Sequence, residues 1–98
     1  MTNSSNSTQF PELYGISFSM LDQHGITKLR KRMGLSQSEM AETLGVASRY
    51  TVSQWERGAT TPGGPVMRFL SLLASLSEAD LRKIIKNLEK ITKEEASS

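Results

Sequence analysis

The chain contains no cysteine among its 98 residues. Disulfides and cysteine-ligated metal sites are therefore excluded, and this composition fits the reducing cytoplasm, where we expect the protein to be located. Histidine is nearly absent as well, since His24 is the only one and has no second imidazole or nucleophile near it in the sequence. Because no set of residues matches a catalytic or metal-ligating pattern, we predict no enzyme activity, no metal site and no cofactor.

Long apolar runs are also missing, and none approaches the length needed to span a bilayer. The N-terminus is rich in Ser, Asn and Thr and lacks the basic and then apolar order of a signal sequence. We therefore expect no membrane partner. A large excess of one sign of charge is lacking too, since 12 Lys and Arg residues face 10 Asp and Glu residues. The resulting formal net charge of +2 by itself says little about partners.

What is present suits one small helical domain. With 37% hydrophobic residues, few aromatics and no alternation of apolar and polar residues, the chain predicts an all-α, compact four- to five-helix bundle. We expect a disordered or loosely packed segment over residues 1–17, a main domain over residues 18–75, and a C-terminal amphipathic helix with a short tail over residues 76–98.

Residues 35–58 form the centre of this organisation, since they predict two short helices joined by a tight turn. Ser36 and Glu39 have the spacing of a capping box, which starts a helix at Gln37, and Gly45 is suited to end it. Ser48 is a plausible N-cap for the second helix, which Gly58 closes. This order of elements is a helix-turn-helix, whose second helix can enter a DNA major groove.

The second helix separates its apolar residues from its polar ones. Val52 and Trp55 share a face at helical spacing, so we expect Trp55 in the core rather than stacked on bases. The remaining side chains can hydrogen-bond base edges or pack on a thymine methyl group. The predicted base-contacting residues are Arg49, Tyr50, Ser53 and Gln54.

Positive charge is concentrated in the same region. Residues 26–69 contain seven basic residues and three acidic ones, whereas the C-terminal part is nearly balanced. Together with the helix-turn-helix pattern, this distribution favours phosphate binding over a merely solvated basic face, which would be the preferred interpretation of the charges alone. The predicted phosphate contacts are Gln37, Lys28, Lys31, Arg32, Arg57, Thr60 and Thr61.

The sequence resembles the phage repressor and Cro-like (XRE-type) helix-turn-helix family over about residues 26–73. The resemblance lies in Arg30, GLSQ (34–37), Ala41, LGV (44–46), TVSQWERG (51–58) and Pro62. It implies a lambda-repressor-like DNA-binding fold, a largely buried ion pair between Arg30 and Glu56, a phosphate contact from Gln37, and base contacts from the residues at 49, 50 and 54. The commonest family pattern has four residues between the glycine and the Thr-Val pair, whereas this chain has five. Either the turn is longer or the recognition helix starts differently.

Three further helices are expected around this pair. The first spans residues 22–33 with Gly34 as its C-cap, and the fourth begins with Pro65 at its first position and ends near Ser75. Its predicted apolar residues are Val66, Phe69, Leu70, Leu72 and Leu73. The fifth starts at a capping box of Ser77 and Asp80 and runs to about Glu94.

The fifth helix carries an apolar stripe that is wide for a small domain. The stripe consists of Leu81, Ile84, Ile85, Leu88 and Ile91. We expect part of it to pack on the first or fourth helix and part to face a second subunit, which would make the protein a homodimer. Residues 10–20 are also too apolar for a free tail, and we expect them to pack on the domain's own surface, a sister subunit or DNA, in that order of preference.

These observations predict a sequence-specific transcriptional regulator that binds double-stranded DNA, most simply a dimeric (auto)repressor on a two-fold operator in the cytoplasm, associated with the nucleoid. One alternative is an antitoxin, which would repress its operon and bind a toxin protein. The other is a protein-interaction module without DNA binding, since a fold alone does not determine function.

Overall fold

The computed structural model describes residues 21–97, and within them it has five helices and no strand. They are α1 (Gln23–Met33), α2 (Gln37–Leu44), α3 (Arg49–Glu56), α4 (Gly64–Ser75) and α5 (Glu78–Ser97). The prediction of an all-helical bundle is confirmed. The expectations for residues 1–17 and 10–20 lie outside the described residues, and the domain boundaries stay predictions.

Local capping chemistry explains where the first helices begin and end. Ser36 Oγ accepts a hydrogen bond from the Glu39 backbone N–H at 3.0 Å, and Glu39 Oε1 accepts one from the Ser36 N–H at 2.8 Å. The predicted capping box is therefore formed, and two otherwise unpaired donors are satisfied. Gly45 ends α2 in the left-handed conformation, with φ at 74°, which an L side chain adopts only at a cost.

The later helices differ from the predicted bounds by one to three residues. α4 begins at Gly64, so Pro65 is its second residue and not its first. Ser77 Oγ accepts from the Asp80 N–H at 3.2 Å, as the predicted cap requires, and α5 then continues to Ser97 rather than to Glu94. In the described part of the chain, none of these helices is long and apolar enough to cross a membrane.

The core lies where α1, α2, α3 and α4 meet, and it is closed by the first half of α5. Its fully buried side chains are Ile26, Met40, Val52, Leu70, Leu73 and Leu81. The prediction that Leu72 belongs to this core is wrong, because its side chain is 54% exposed. The inward face of α4 is formed by Leu70, Leu73 and Ala74, and Leu72 is about two helical steps of 100° away from Leu70.

The amphipathic helix α5 packs mainly on α2 and α1. The expected packing on α1 is confirmed, whereas the larger contact with α2 was not predicted, because contact between distant helices is a property of the tertiary arrangement. Leu81 and Ile85 are buried in the chain's own core, which corrects their assignment to a subunit interface. Of the predicted stripe, Ile84 and Leu88 are half-buried, and Ile91 is 49% exposed.

Candidate nucleic-acid interface

Helices α2 and α3 form a helix-turn-helix unit. They make the most extensive contact of any helix pair in the described residues, and the turn between them spans residues 45–48. The Val46 N–H donates to the Ala41 carbonyl oxygen at 3.0 Å, and the Val46 side chain packs against the core. A helix ended by a left-handed glycine and an inward-facing apolar residue directs the chain sharply into the next helix.

The additional residue in this region affects where α3 begins. Ser48 is the N-cap, its Oγ accepts from the Tyr50 N–H at 3.2 Å, and Arg49 is the first helical residue. Arg49 and Tyr50 therefore lie in the first turn of α3 rather than in the preceding loop. Their side chains project from the helix end that a recognition helix presents to base edges.

The orientation of α3 follows from two buried residues. Val52 is fully buried and Trp55 is 5% exposed, so the expected core position of the tryptophan is confirmed. Arg49 is exposed, Tyr50 is 61% exposed, and Ser53 and Gln54 are half-buried. The four predicted base-contacting residues are thus brought together on one short helix that is anchored from its opposite side.

Arg30 and Glu56 connect α1 to the end of α3. Arg30 Nε donates to Glu56 Oε2 at 2.7 Å, and the Arg30 guanidinium also donates to Glu56 Oε1 at 3.2 Å, which makes the pair bidentate. A third guanidinium N–H donates to the Leu35 carbonyl oxygen at 3.0 Å. The two side chains are only 16% and 8% exposed, so this is a largely buried pair of the kind that the resemblance implies.

Gln37 joins the same carboxylate from a third helix. It is the first residue of α2, it is half-buried, and its Nε2 donates to Glu56 Oε1 at 3.2 Å. The amide group at the start of α2 is therefore held beside the end of α3. The unpaired backbone N–H groups of a helix N-terminus favour an anion at the same position.

This network also shifts the proton affinities of its two ionised members. Burial alone would raise the pKa of the Glu56 carboxyl, but the hydrogen bonds from Arg30, Gln37 and Thr27 and the charge of Arg30 outweigh it and lower that pKa below its ordinary value. The hydrogen bond to Glu56 raises the pKa of Arg30. Both groups are consequently held in their charged forms.

Arg32 lies on a different side of α1 and has other partners. Its Nε donates to Glu78 Oε2 at 3.0 Å, and its terminal nitrogens donate to the Leu76 and Ala74 carbonyl oxygens at 2.9 and 3.4 Å. The guanidinium thus satisfies carbonyl groups at the C-terminal end of α4 and ties α1 to the start of α5. Because these partners use its guanidinium, we leave Arg32 out of the candidate interface, and its phosphate contact stays a prediction.

The other predicted phosphate contacts do not all lie together. Arg57 is the exposed C-cap of α3 and directly follows Glu56. Thr60 and Thr61 are exposed in the loop after α3, next to the start of α1. Lys31 is exposed on α1, whereas Lys28 is exposed beside Arg32 and Ala74, on the side of α1 that faces α4.

Two features of this site were not evident from the sequence. The tie from Arg32 to α4 and α5 joins residues more than forty positions apart, and no local signal indicates it. The bond from Gln37 to Glu56 spans 19 positions, although the proximity of α2 to the end of α3 follows from a helix-turn-helix.

Among the described residues there is no group of three or more His, Cys, Asp or Glu side chains arranged to hold a metal ion.

Comparison with protein families identifies the helix-turn-helix region. The model of a helix-turn-helix family matches residues 26–81, from α1 to the start of α5, which is more than half of the chain. Neither curated proteins nor solved structures give a match. The matched range contains the residues that carry the resemblance to Cro and CI-type regulators. This chain belongs to the XRE-type helix-turn-helix family and is a DNA-binding regulator of that type.

Proposed function

We propose that this protein is a dimeric repressor that places α3 in the major groove of a two-fold operator. The observation that carries the proposal is the orientation of α3, whose apolar residues Val52 and Trp55 are buried while its polar side chains remain on the outer side. A short helix anchored in this way has the dimensions that the major groove admits. Repression follows from covering promoter DNA in the cytoplasm and requires no catalytic residue.

The side chains on the outer side of α3 have the chemistry for contacts with base edges. Arg49 suits the two acceptors of guanine, and Gln54 suits the donor and acceptor of adenine. Ser53 can donate or accept, and Tyr50 can pack on a thymine methyl group or reach a phosphate. Of these four, Gln54 lies furthest from the start of α3, where the additional residue falls, and it is the first residue to test.

Phosphate contacts are proposed for the residues that surround this helix. Gln37 combines a held amide with the N-terminus of α2, and Arg57 is the exposed C-cap at the end of α3. Lys31, Thr60 and Thr61 are exposed and complete the set. These contacts would orient α3 on the duplex without selecting a sequence.

The dimer is proposed to form through the outer part of the α5 stripe. Because Leu81 and Ile85 are used in the core, the residues left for a partner are Ile84, Leu88 and Ile91. Ile91 is the most exposed of the three, and an apolar side chain of this size on a polar helix surface favours contact with another apolar surface.

The DNA-binding test is fluorescence anisotropy with DNA from upstream of the protein's own gene and with scrambled DNA, at two salt concentrations. We expect tighter binding to the upstream DNA, with an affinity that falls steeply as salt rises because counterions are released. Gln54→Ala should lose about 1 to 3 kcal/mol, mainly on the specific DNA. Ser75→Ala, which removes an exposed hydroxyl at the end of α4, away from the proposed DNA and dimer contacts, is the control and should bind as the wild type does.

Equal and weak binding to both DNAs would contradict the repressor and favour a protein-interaction module.

The dimer is tested separately, by sedimentation equilibrium of Ile91→Glu. We expect this variant to become monomeric, because a carboxylate in an apolar contact is left without a partner. Ala79→Glu adds the same charge at an exposed position near the start of α5 and should remain dimeric.

A further inference from the structure

The first residue of α1 lies against the turn that follows α3. Gln23 is half-buried, and its Oε1 atom occupies the place that a Cβ atom at Gly58 would need. Gly58 has a φ of 76°, so this turn depends on the left-handed conformation directly after the recognition helix. At the other end of the amide, Gln23 Nε2 lies 3.4 Å from Nε2 of the exposed His24 ring. The Gln23 amide therefore lies over the Gly58 backbone from the α1 side.

We propose that Gln23 is a positioning residue for DNA binding, which holds the loop of Thr60 and Thr61 in place without touching DNA. This inference rests on the proposed function, in which the two threonines contact phosphate. Both threonines are exposed, and they line one groove together with Gln23 and Gly58. Because the loop continues from the residue that the Gln23 amide covers, this side chain limits the positions that the loop can adopt.

Backbone hydrogen bonds join the same loop to a proposed base contact. The N–H groups of Ala59 and Thr60 both donate to the Gln54 carbonyl oxygen, at 2.9 and 3.4 Å. The Gly58 N–H donates to the Trp55 carbonyl oxygen at 3.1 Å. The loop is therefore bonded to the last turn of α3, and a displacement of Gly58 would move the threonines relative to Gln54.

Gln23 also extends a line of polar side chains on α1 that faces the end of α3. Thr27 lies four residues after Gln23 and Arg30 lies three residues further, so all three share one side of the helix. Thr27 and Arg30 both bond the Glu56 carboxylate. Gln23 contacts Gly58, two residues later. With two side chains α1 thus holds the last helical residue of α3, and with a third it holds the turn that follows.

The first experiment compares the amide NMR spectra of the wild type and Gln23→Ala, both without DNA. We expect the signals of residues 58–61 to shift, because the amide that covers this turn is removed, and the signals of α2 to stay in place. The control variant Ser75→Ala, at the exposed end of α4, should leave residues 58–61 unchanged. If Gln23→Ala also leaves them unchanged, Gln23 does not hold the loop and the proposal is overturned.

The second experiment measures DNA affinity by fluorescence anisotropy in a double-mutant cycle that combines Gln23→Ala with the pair Thr60→Val, Thr61→Val. Phosphate contacts do not depend on sequence, so scrambled DNA is used, at a temperature where thermal melts show every variant to be folded. We expect Gln23→Ala to weaken binding about fivefold, the size of one hydrogen bond. Once both threonines are replaced, the same substitution should weaken binding less than about twofold, because the two changes act on one contact.

Three results of this cycle would overturn the proposal. If Gln23→Ala weakens binding equally in both backgrounds, the side chain acts independently of the loop. If it leaves the affinity unchanged, the loop needs no support from α1. If the two threonine substitutions alone have no effect, the proposed phosphate contacts fail and Gln23 cannot act through them. A wild type that shows no preference for upstream DNA contradicts the repressor alone.

Discussion

The Nε2 atom of Gln37 lies 3.2 Å from Oε1 of Glu56, so the side chain that we propose for a phosphate contact is held by the carboxylate that also binds Arg30. Through this one carboxylate, the start of α2, the end of α3 and the last turn of α1 are joined. The positions of the proposed phosphate contact and of the recognition helix are therefore set by the same group.

Removing that carboxylate should destabilise the fold. Glu56→Ala leaves the largely buried Arg30 without its counter-charge and is expected to lower the free energy of unfolding by about 3 kcal/mol, as measured by urea denaturation. Glu78→Ala removes the partner of Arg32 from a pair in which Glu78 is 61% exposed, so it should cost less than about 1 kcal/mol. Equal losses in the two variants would show that burial does not strengthen the Arg30–Glu56 pair.

The lowered pKa of Glu56 predicts a loss of stability in acid. Because the folded protein binds this proton more weakly than the unfolded chain does, the carboxylate stabilises the fold above its ordinary pKa of about 4.5, and this stabilisation is lost as the pH falls through the lowered value. Urea denaturation between about pH 7 and pH 3 should show a smaller loss for Glu56→Gln than for the wild type. Parallel curves would mean that Glu56 does not contribute to the acid sensitivity.

Two neighbouring cations on α1 should behave differently. Arg32→Ala removes the bonds to Glu78 and to the α4 carbonyl groups, so we expect lower stability with little change in DNA affinity while the variant is folded. Lys31→Ala should leave stability nearly unchanged and reduce the salt dependence of DNA binding by about one phosphate contact. Anisotropy titrations at several salt concentrations measure the effect on DNA binding, and thermal melts of both variants measure the effect on stability. If the salt dependence of DNA binding is also reduced in Arg32→Ala, Arg32 contacts phosphate after all.

Substitution of two glycines that have open space around them measures the cost of backbone strain without a contribution from steric crowding. A Cβ atom at Gly45 or at Gly63 would meet nothing within 4 Å, but Gly45 has a φ of 74° and Gly63 a φ of −64°. Gly45→Ala should therefore cost about 1 kcal/mol of stability from the left-handed conformation alone. Gly63→Ala carries no such backbone strain, and its cost is limited to the preference of a helix N-cap for glycine over alanine. Chemical denaturation of the two variants tests this, and a neutral Gly45→Ala would mean that the turn relaxes at no cost.

Much of the recognition unit was predictable from neighbouring residues. The capping box of Ser36 and Glu39, the N-cap at Ser48 and the burial of Val52 with Trp55 depend on spacings of two to four residues, and helices impose these spacings wherever they form. The identity of the exposed side chains on α3 followed from the same periodicity. The predicted N-cap at Ser48 also implied that α3 starts at Arg49, and the structure has this start.

By itself, the sequence determined the helices, their caps and the chemistry of the surface that α3 exposes, because these depend on side chains within one or two turns of each other. Only the tertiary structure decided how the amphipathic residues of α4 and α5 divide between core and surface, so that Leu72 and Ile91 are exposed while Leu81 and Ile85 are buried. It also decided that Arg32 binds α4 and α5 and that Gln37 shares a carboxylate with Arg30. These contacts join residues far apart in the chain, and helical periodicity specifies which face of a helix is apolar without specifying what covers it.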